Sequence, residues 1–245
     1  MMLMPHNPRS NSILHALSPE EFELIAPSLE LISKSSGDVL YEVNEKLQYV
    51  YFPVTATASL LCGLEDGSSV EVAVVGNEGM LGISTFMGGE TALTQATISA
   101  TGDVYRMRSR VLRDMLDRIG GRRGAKIQFV LMRYTQTLLL QMAQTTACNR
   151  RHSVKQQLCR WLLLNFDRMD SSKLAMTQEL ISNILGVRRE SITEIAGKLK
   201  SEGIIRYDRG IIEITNREGL EEHVCECYSI LKNDRERLAI DLLAA

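Results

Sequence analysis

Hydrophobic and polar positions follow two rhythms along this chain. From Leu31 to Met107 the apolar residues come in short, β-rich segments: Val39–Val43, Tyr49–Pro53, Ala58–Leu64, Val70–Val75 and Gln95–Arg106. Turn residues part them, at Ser36-Gly37-Asp38, Glu65-Asp66-Gly67 and Gly76-Asn77-Glu78-Gly79. Many short strands at this spacing predict an antiparallel sandwich or jelly roll. On either side the rhythm is helical. Ser18-Pro19-Glu20-Glu21 is a capping box with proline at the first helical position, opening a short helix through Phe22, Leu24, Ile25 and Leu29. Arg108 to Ala147 reads as helix, broken near Gly120-Gly121. Asn149 to Asp167 reads as another, with Val154, Leu158, Trp161, Leu162 and Phe166 inside.

Within the long helix Ile127, Leu131, Tyr134, Leu138, Gln141 and Thr145 alternate spacings of four and three. That is a coiled-coil-like seam, and it predicts a homodimer interface on those residues. Leu138-Leu139-Leu140 gives apolar cover on more than one face, so one face serves the helix's own domain and another a partner subunit.

The most specific stretch runs from Thr177 to Ile214. Leu180, Ile181, Ile184 and Leu185 share one helical face, with Thr177 as N-cap and Gly186 at the turn. Ile192, Ile195, Ala196 and Leu199 line a second helix that ends at Gly203. Two β-branched runs, Ile204–Tyr207 and Ile211–Ile214, then flank Asp208-Arg209-Gly210. Two short helices followed by a hairpin predict a winged helix-turn-helix. A plain αα-hairpin with a hairpin packed on it would show the same periodicity. Arginines at the front of the second helix and in the wing favour DNA binding. A capping box at Thr215-Asn216-Arg217-Glu218 starts a C-terminal helix running to Leu243.

The expected fold is therefore α+β: a β jelly-roll domain over residues 14–115, a dimerisation helix over 116–147 and a winged helix-turn-helix domain with a C-terminal helix over 148–245. Charge divides along similar lines. Residues 1–105 hold 3 basic against 13 acidic side chains, residues 106–147 hold 9 against 2, and residues 148–218 hold 13 against 9. An acidic front half and a basic remainder suit separate tasks. No apolar run is long enough to span a bilayer, and the start lacks a signal peptide's apolar region, so a cytoplasmic protein is expected. The five cysteines, Cys62, Cys148, Cys159, Cys225 and Cys227, read as reduced and largely buried. No nucleophile–base constellation, P-loop or zinc motif appears, so an enzyme is not expected.

Several motifs resemble the Crp/Fnr family of bacterial transcription regulators, from about Leu14 to Tyr228. They are Val50-Tyr51-Phe52-Pro53, Glu65-Asp66-Gly67-Ser68, Gly76-Asn77-Glu78-Gly79-Met80-Leu81-Gly82 and Leu185-Gly186-Val187-Arg188-Arg189-Glu190-Ser191. Arg209-Gly210 and Cys225-Glu226-Cys227-Tyr228 are similar to one subgroup of it. The resemblance implies a cyclic-nucleotide-binding-like sensor domain, and a homodimer on a palindromic promoter site that recruits or blocks RNA polymerase. It implies that Arg189 and Glu190 read bases, arginine on guanine and carboxylate on cytosine. The expected DNA-facing set is Thr177, Arg188, Arg189, Glu190, Ser191, Thr193, Glu194, Arg206 and Arg209. Some members place a second arginine where this chain has Glu194, so its operator should differ from theirs.

The resemblance also places an effector pocket, for an unknown small molecule, at Gly76, Glu78, Gly79, Gly82, Thr94 and Gln95. Cyclic-nucleotide control is not expected, because no arginine lies between Arg9 and Arg106 to hold a cyclic phosphate. Neither cofactor nor metal is expected. The N-terminus has no cysteine for an iron–sulfur cluster, and His6, His15, His152 and His223 lack metal-binding spacing. Cys225 and Cys227, two apart on a predicted helix, should face different ways. The rival reading is a protein-interaction or cyclic-nucleotide-responsive module with weak DNA binding.

Overall fold

The computed structural model describes residues 6–118, 125–169 and 171–244. Two short helices come first, α1 (Ser12–Ala16) and α2 (Pro19–Ile25). The predicted capping box closes α2: Glu21 N donates to Ser18 Oγ at 3.2 Å and Ser18 N donates to Glu21 Oε2 at 2.9 Å. Seven strands follow: β1 (Glu30–Lys34), β2 (Val39–Tyr41), β3 (Tyr49–Pro53), β4 (Thr57–Gly63), β5 (Ser69–Val75), β6 (Gln95–Ala100) and β7 (Gly102–Arg108). They make two antiparallel sheets, ordered β1-β7-β3 and β2-β6-β4-β5. Tyr51 and Val104 of the first sheet and Ala58, Leu60, Ala96 and Ile98 of the second share one buried cluster. This is the expected sandwich. The single run read over Gln95–Arg106 is two strands, because β6 pairs with β2 and β4 while β7 pairs with β1 and β3. One unbroken strand cannot serve both sheets.

Helix α3 (Ser109–Arg118) leads to the long α4 (Ala125–Arg151). The expected break near Gly120-Gly121 lies outside the described residues. Helix α4 passes the expected end at Ala147 and stops at Arg151, where Ser153 and Gln156 form a capping box for α5 (Val154–Phe166). The remaining elements are β8 (Lys173–Ala175), α6 (Gln178–Leu185), α7 (Arg189–Ser201), β9 (Ile205–Asp208), β10 (Ile211–Ile214), α8 (Arg217–Glu222) and α9 (Cys227–Ala244). Strand β8 was not foreseen. Its three residues are too short to show alternation, yet they extend the wing to a sheet ordered β8-β10-β9.

The C-terminal helix expected from Thr215 to Leu243 is two helices, parted at His223–Glu226. The break lets α9 turn back onto α4 and α1. Leu238 and Leu242 are buried with Ile13, Leu14, Ile127 and Leu131. Arg133 on α4 fastens α9, with Nη2 on Asp234 Oδ1 at 3.1 Å and Nε on Asp241 Oδ2 at 2.6 Å. On the opposite side Leu61 and Val74 of the sandwich share a buried cluster with Leu158, Trp161 and Ile184. Trp161 is 1% exposed and sits in that shared core.

Candidate nucleic-acid interface

Helix α6 starts at Thr177, whose Oγ1 accepts from Leu180 N at 3.2 Å. It ends at Gly186 in the left-handed region, φ 65°, whose backbone N–H is shared between the Asn183 and Ser182 carbonyls. A Cβ on Gly186 would also lie 2.7 Å from Val70 Cγ2 on the sandwich, so glycine is required twice over. The turn then aims α7 outward. Ile192, Ala196 and Leu199 bury one face, and Arg188, Arg189, Glu190, Thr193 and Glu194 stand exposed on the other. Ser191 is half-buried in the first turn.

Arg188 is the N-cap residue of α7 and makes no side-chain cap. The front of the helix thus sets first-turn backbone donors beside the exposed Arg188 and Arg189 guanidinium groups, an anion-attracting surface. Thr193 Oγ1 lies 2.7 Å from Gln178 Oε1 and 3.1 Å from the Arg189 carbonyl, which ties the two helices together. Lys198 Nζ holds Glu194 Oε1 at 2.6 Å and lowers that carboxyl's pKa. Glu194 therefore stays an ionised carboxylate on the exposed face.

The wing is a two-residue hairpin. Arg209 (φ 47°) and Gly210 (φ 76°) both take positive φ, which is what a type I′ turn demands. Opposite each other in register, Arg206 and Glu213 pair at 3.0 Å. Arg189, Tyr207 and Arg209 join Thr177 and Gln178 around an open polar cleft of about 370 Å³. All nine residues of the expected set thus lie on α6, α7 or the wing. Sequence reading missed Gln178, whose role emerges only from its contact with Thr193.

The residues of the other two expected sites fall into different surroundings. The cavity beneath the sandwich is about 150 Å³, lined by Tyr41, Leu60, Leu81, Gly82, Thr94 and, from α4, Thr135, Leu138, Leu139 and Met142 among others. Gly82 and Thr94 belong to it. Gly76, Glu78, Gly79 and Gln95 do not. Gln95 Nε2 donates to Glu42 Oε2 at 2.7 Å. Glu78 turns away to Arg168, beyond α5, at 2.6 Å, and both side chains are nearly buried. Gly76 packs against that pair, and a Cβ on Gly79 would collide with the Tyr134 ring at 2.5 Å. The turn carrying these residues is therefore a joint between the two halves of the chain.

The predicted seam on α4 faces inward. Ile127, Leu131, Tyr134, Leu138, Gln141 and Thr145 are each at most 6% exposed within a single chain. Tyr134 Oη donates to Met80 O at 2.8 Å, Gln141 Nε2 to Val74 O at 3.2 Å, and Thr145 Oγ1 accepts from Arg160 at 3.1 Å. The reason is the sandwich itself, which needs an apolar cover and takes this stripe. A second stripe with the same alternating spacing runs beside it: Phe129, Met132, Gln136, Leu139, Ala143, Thr146 and Arg150, all exposed. Cys225 and Cys227 also depart from expectation. Cys225 precedes α9 rather than lying on it, and both side chains are buried beside Cys148.

Glu71 on β5 is a fourth feature that the sequence did not flag. Burial pushes its carboxyl up to about 6, against the lowering pull of Ser59, Trp161 and the charges of Arg160 and Arg168. Its Oε2 accepts from Ser59 Oγ. A folded-state value raised above 4.5 means that the protonated form favours the folded chain. That contribution is whole below about pH 4.5 and is lost as pH rises through about 6, on the order of 2 kcal/mol. Glu71→Gln should therefore raise the melting temperature at about pH 7.5 and flatten its slope between about pH 5 and 7. Melting curves across that range test this, and an unchanged slope would contradict it.

Comparison with known proteins gives a consistent pattern. The family model for the cyclic nucleotide-binding domain matches residues 31–119, and that for the Crp-like helix-turn-helix domain matches residues 156–223. No curated protein matches the sequence. Among solved structures, FixK2 from Bradyrhizobium japonicum is 19% identical with TM-score 0.66, covering 80% of this chain and 98% of that one. The c-di-GMP responsive global regulator CLP of Xanthomonas campestris is 11% identical with TM-score 0.65, covering 80% and 99%. A Crp/Fnr transcriptional regulator from Thermus thermophilus is 20% identical with TM-score 0.58, covering 82% and 98%. Identities this low show a shared fold.

Proposed function

Because this chain belongs to the Crp/Fnr family of DNA-binding transcription regulators, with both of its domains in order, we propose that it acts as a homodimer on a palindromic promoter site, in contact with RNA polymerase. The observation that carries this reading is the exposed front of α7, where Arg188, Arg189 and Glu190 stand beside the wing tip at Arg209. Two such surfaces on a two-fold axis would match two half-sites. The second copy docks on the exposed α4 stripe, where Phe129, Met132 and Leu139 are 43%, 57% and 59% exposed at coiled-coil spacing. No helix among the described residues is long and apolar enough to cross a membrane, and the reading is of a cytoplasmic protein without catalytic activity.

The effector reading follows from the cavity. Its lining is almost wholly apolar, without a cationic side chain among the described residues, and its volume falls below the roughly 300–1,000 Å³ of ordinary small-molecule sites. A cyclic phosphate would be buried there without a charged partner. A small apolar effector fits better than a cyclic nucleotide. Four of the lining residues lie on α4, so its occupancy would bear on the dimer helix directly.

Reading and clamping divide between α7 and the wing. Arg189→Ala or Glu190→Ala should relax base preference at one position of each half-site, at about 1–3 kcal/mol per half-site. Arg209→Ala should weaken specific and random DNA alike and reduce the salt slope by about one unit for each lost phosphate contact. In vitro selection with the purified protein, followed by salt titration of each variant, separates the two. An unchanged palindrome for Arg189→Ala, with an altered one for Arg209→Ala, would reverse the assignment.

A further inference from the structure

At the end of α4 the chain gathers four metal-binding side chains from two distant segments. Cys148 is on α4 and His152 follows its last turn. Cys225 and Cys227 flank Glu226 at the start of α9. The three Sγ atoms and a ring nitrogen all lie within 4.8 Å of one another. Cys148 Sγ and Cys225 Sγ are 3.6 Å apart, and Cys227 Sγ is 3.4 Å from His152 Nδ1. A tetrahedral centre with Zn–S near 2.3 Å and Zn–N near 2.0–2.1 Å puts its ligands about 3.8 Å (S to S) and about 3.6 Å (S to N) apart. Those two pairs are already near that spacing, and all four ligand atoms lie within 4.8 Å of one another.

Its surroundings suit a metal thiolate. His152 Nε2 lies 3.4 Å from Glu226 Oε1, the carboxylate contact that directs the other ring nitrogen inward. Gln144 Nε2 donates to Cys227 Sγ at 3.1 Å. Arg160 is 4% exposed, and its only side-chain hydrogen bond goes to the neutral Thr145; its Nε has no partner. It forms no ion pair among the described residues, although its charge reaches the buried Glu71 carboxyl as well as Cys148. A buried guanidinium of this kind favours further anionic charge nearby. Three thiolates around one divalent cation carry a net charge of minus one and supply it.

We infer that Cys148, His152, Cys225 and Cys227 form a tetrahedral site for a thiophilic divalent cation, zinc by its donor set. Three sulfurs and one imidazole exclude magnesium and calcium and favour a structural, closed zinc site. Binding displaces one proton from each thiol, three in all, and moves no electrons. The cation would pin the end of the sandwich-covering helix to the turn between α8 and α9. That fixes the DNA-binding half against α4. The inference uses no residue of the DNA surface, so it stands or falls apart from that reading.

The test uses the full-length chain, reduced and treated with chelator, then titrated with Co²⁺ as a visible reporter and with Zn²⁺ as competitor. One equivalent of Co²⁺ should give the intense visible bands of a tetrahedral ion and a near-ultraviolet thiolate charge-transfer band. Zn²⁺ should bleach both, releasing three protons per chain in weak buffer and raising the melting temperature. His152→Ala, at a side chain 18% exposed, should weaken cobalt binding at least tenfold, and Cys227→Ser should abolish the tetrahedral spectrum. Cys62→Ser, on β4, should change neither. An octahedral spectrum, or uptake indifferent to both His152→Ala and Cys227→Ser, would overturn the site. So would a chain that takes up no metal and instead closes a Cys148–Cys225 disulfide under mild oxidant.

Discussion

Leu139→Asp should convert the proposed dimer to a monomer without unfolding the chain. Leu139 borders the cavity but is 59% exposed in a single chain, so a carboxylate there can turn to water. In the proposed dimer the same carboxylate would enter an apolar seam without a cation to pair with it. The expected loss is at least a hundredfold in dimer affinity, about 3 kcal/mol. Specific binding to a two-fold site should fall with it, since one half-site alone holds weakly. Leu138→Asp is the matching control. Leu138 is 5% exposed and lines the cavity under the sandwich, so the charge should unfold that domain. Light scattering and thermal melting distinguish the two variants. A Leu139→Asp protein that stays dimeric would remove this face from consideration.

Breaking the joint between the two halves should be the most costly single change outside the cores. Arg168 Nε meets Glu78 Oε1 at 2.6 Å with side chains 5% and 12% exposed, and the buried Glu78 Oε2 has no hydrogen-bond partner among the described residues. Arg168→Ala leaves a buried carboxylate uncompensated, which costs about 3–5 kcal/mol. Removing both partners avoids that penalty, so Glu78→Ala with Arg168→Ala should be more stable than Arg168→Ala alone. Denaturant titration of the full cycle measures it. A single variant within about 1 kcal/mol of the parent protein would show that solvent reaches the pair freely.

How much of this was legible beforehand depends on how local each signal is. The helix-turn-helix declares itself within one stretch: the Thr177 cap, Gly186 at the turn and apolar residues at Ile181, Ile184, Ile192 and Leu199. Its exposed arginines follow from the same periodicity. Helix α4 is different, because two stripes with identical spacing run along it. Nothing in the spacing says which one the sandwich will cover, and the reading chose the covered stripe. Glu78 has the opposite difficulty. Its turn resembles a ligand loop, but its partner Arg168 lies 90 positions away. The cysteines fail for the same reason, since Cys148 and Cys225 are 77 positions apart and converge only because the final helix breaks at His223–Glu226.

The return of α9 has a consequence for biosynthesis. Domains generally fold as they are made, beginning at the amino terminus. Here the sandwich domain leaves the ribosome long before Leu238 and Leu242, which complete the cluster around Ile13 and Leu14. Until those two side chains arrive, the nascent domain carries an open apolar slot on the surface that α9 will cover. Its final consolidation therefore waits until α9 has been made, by which time the intervening DNA-binding segment has already been synthesised. A regulator assembled in this order closes its sandwich domain only after its helix-turn-helix exists.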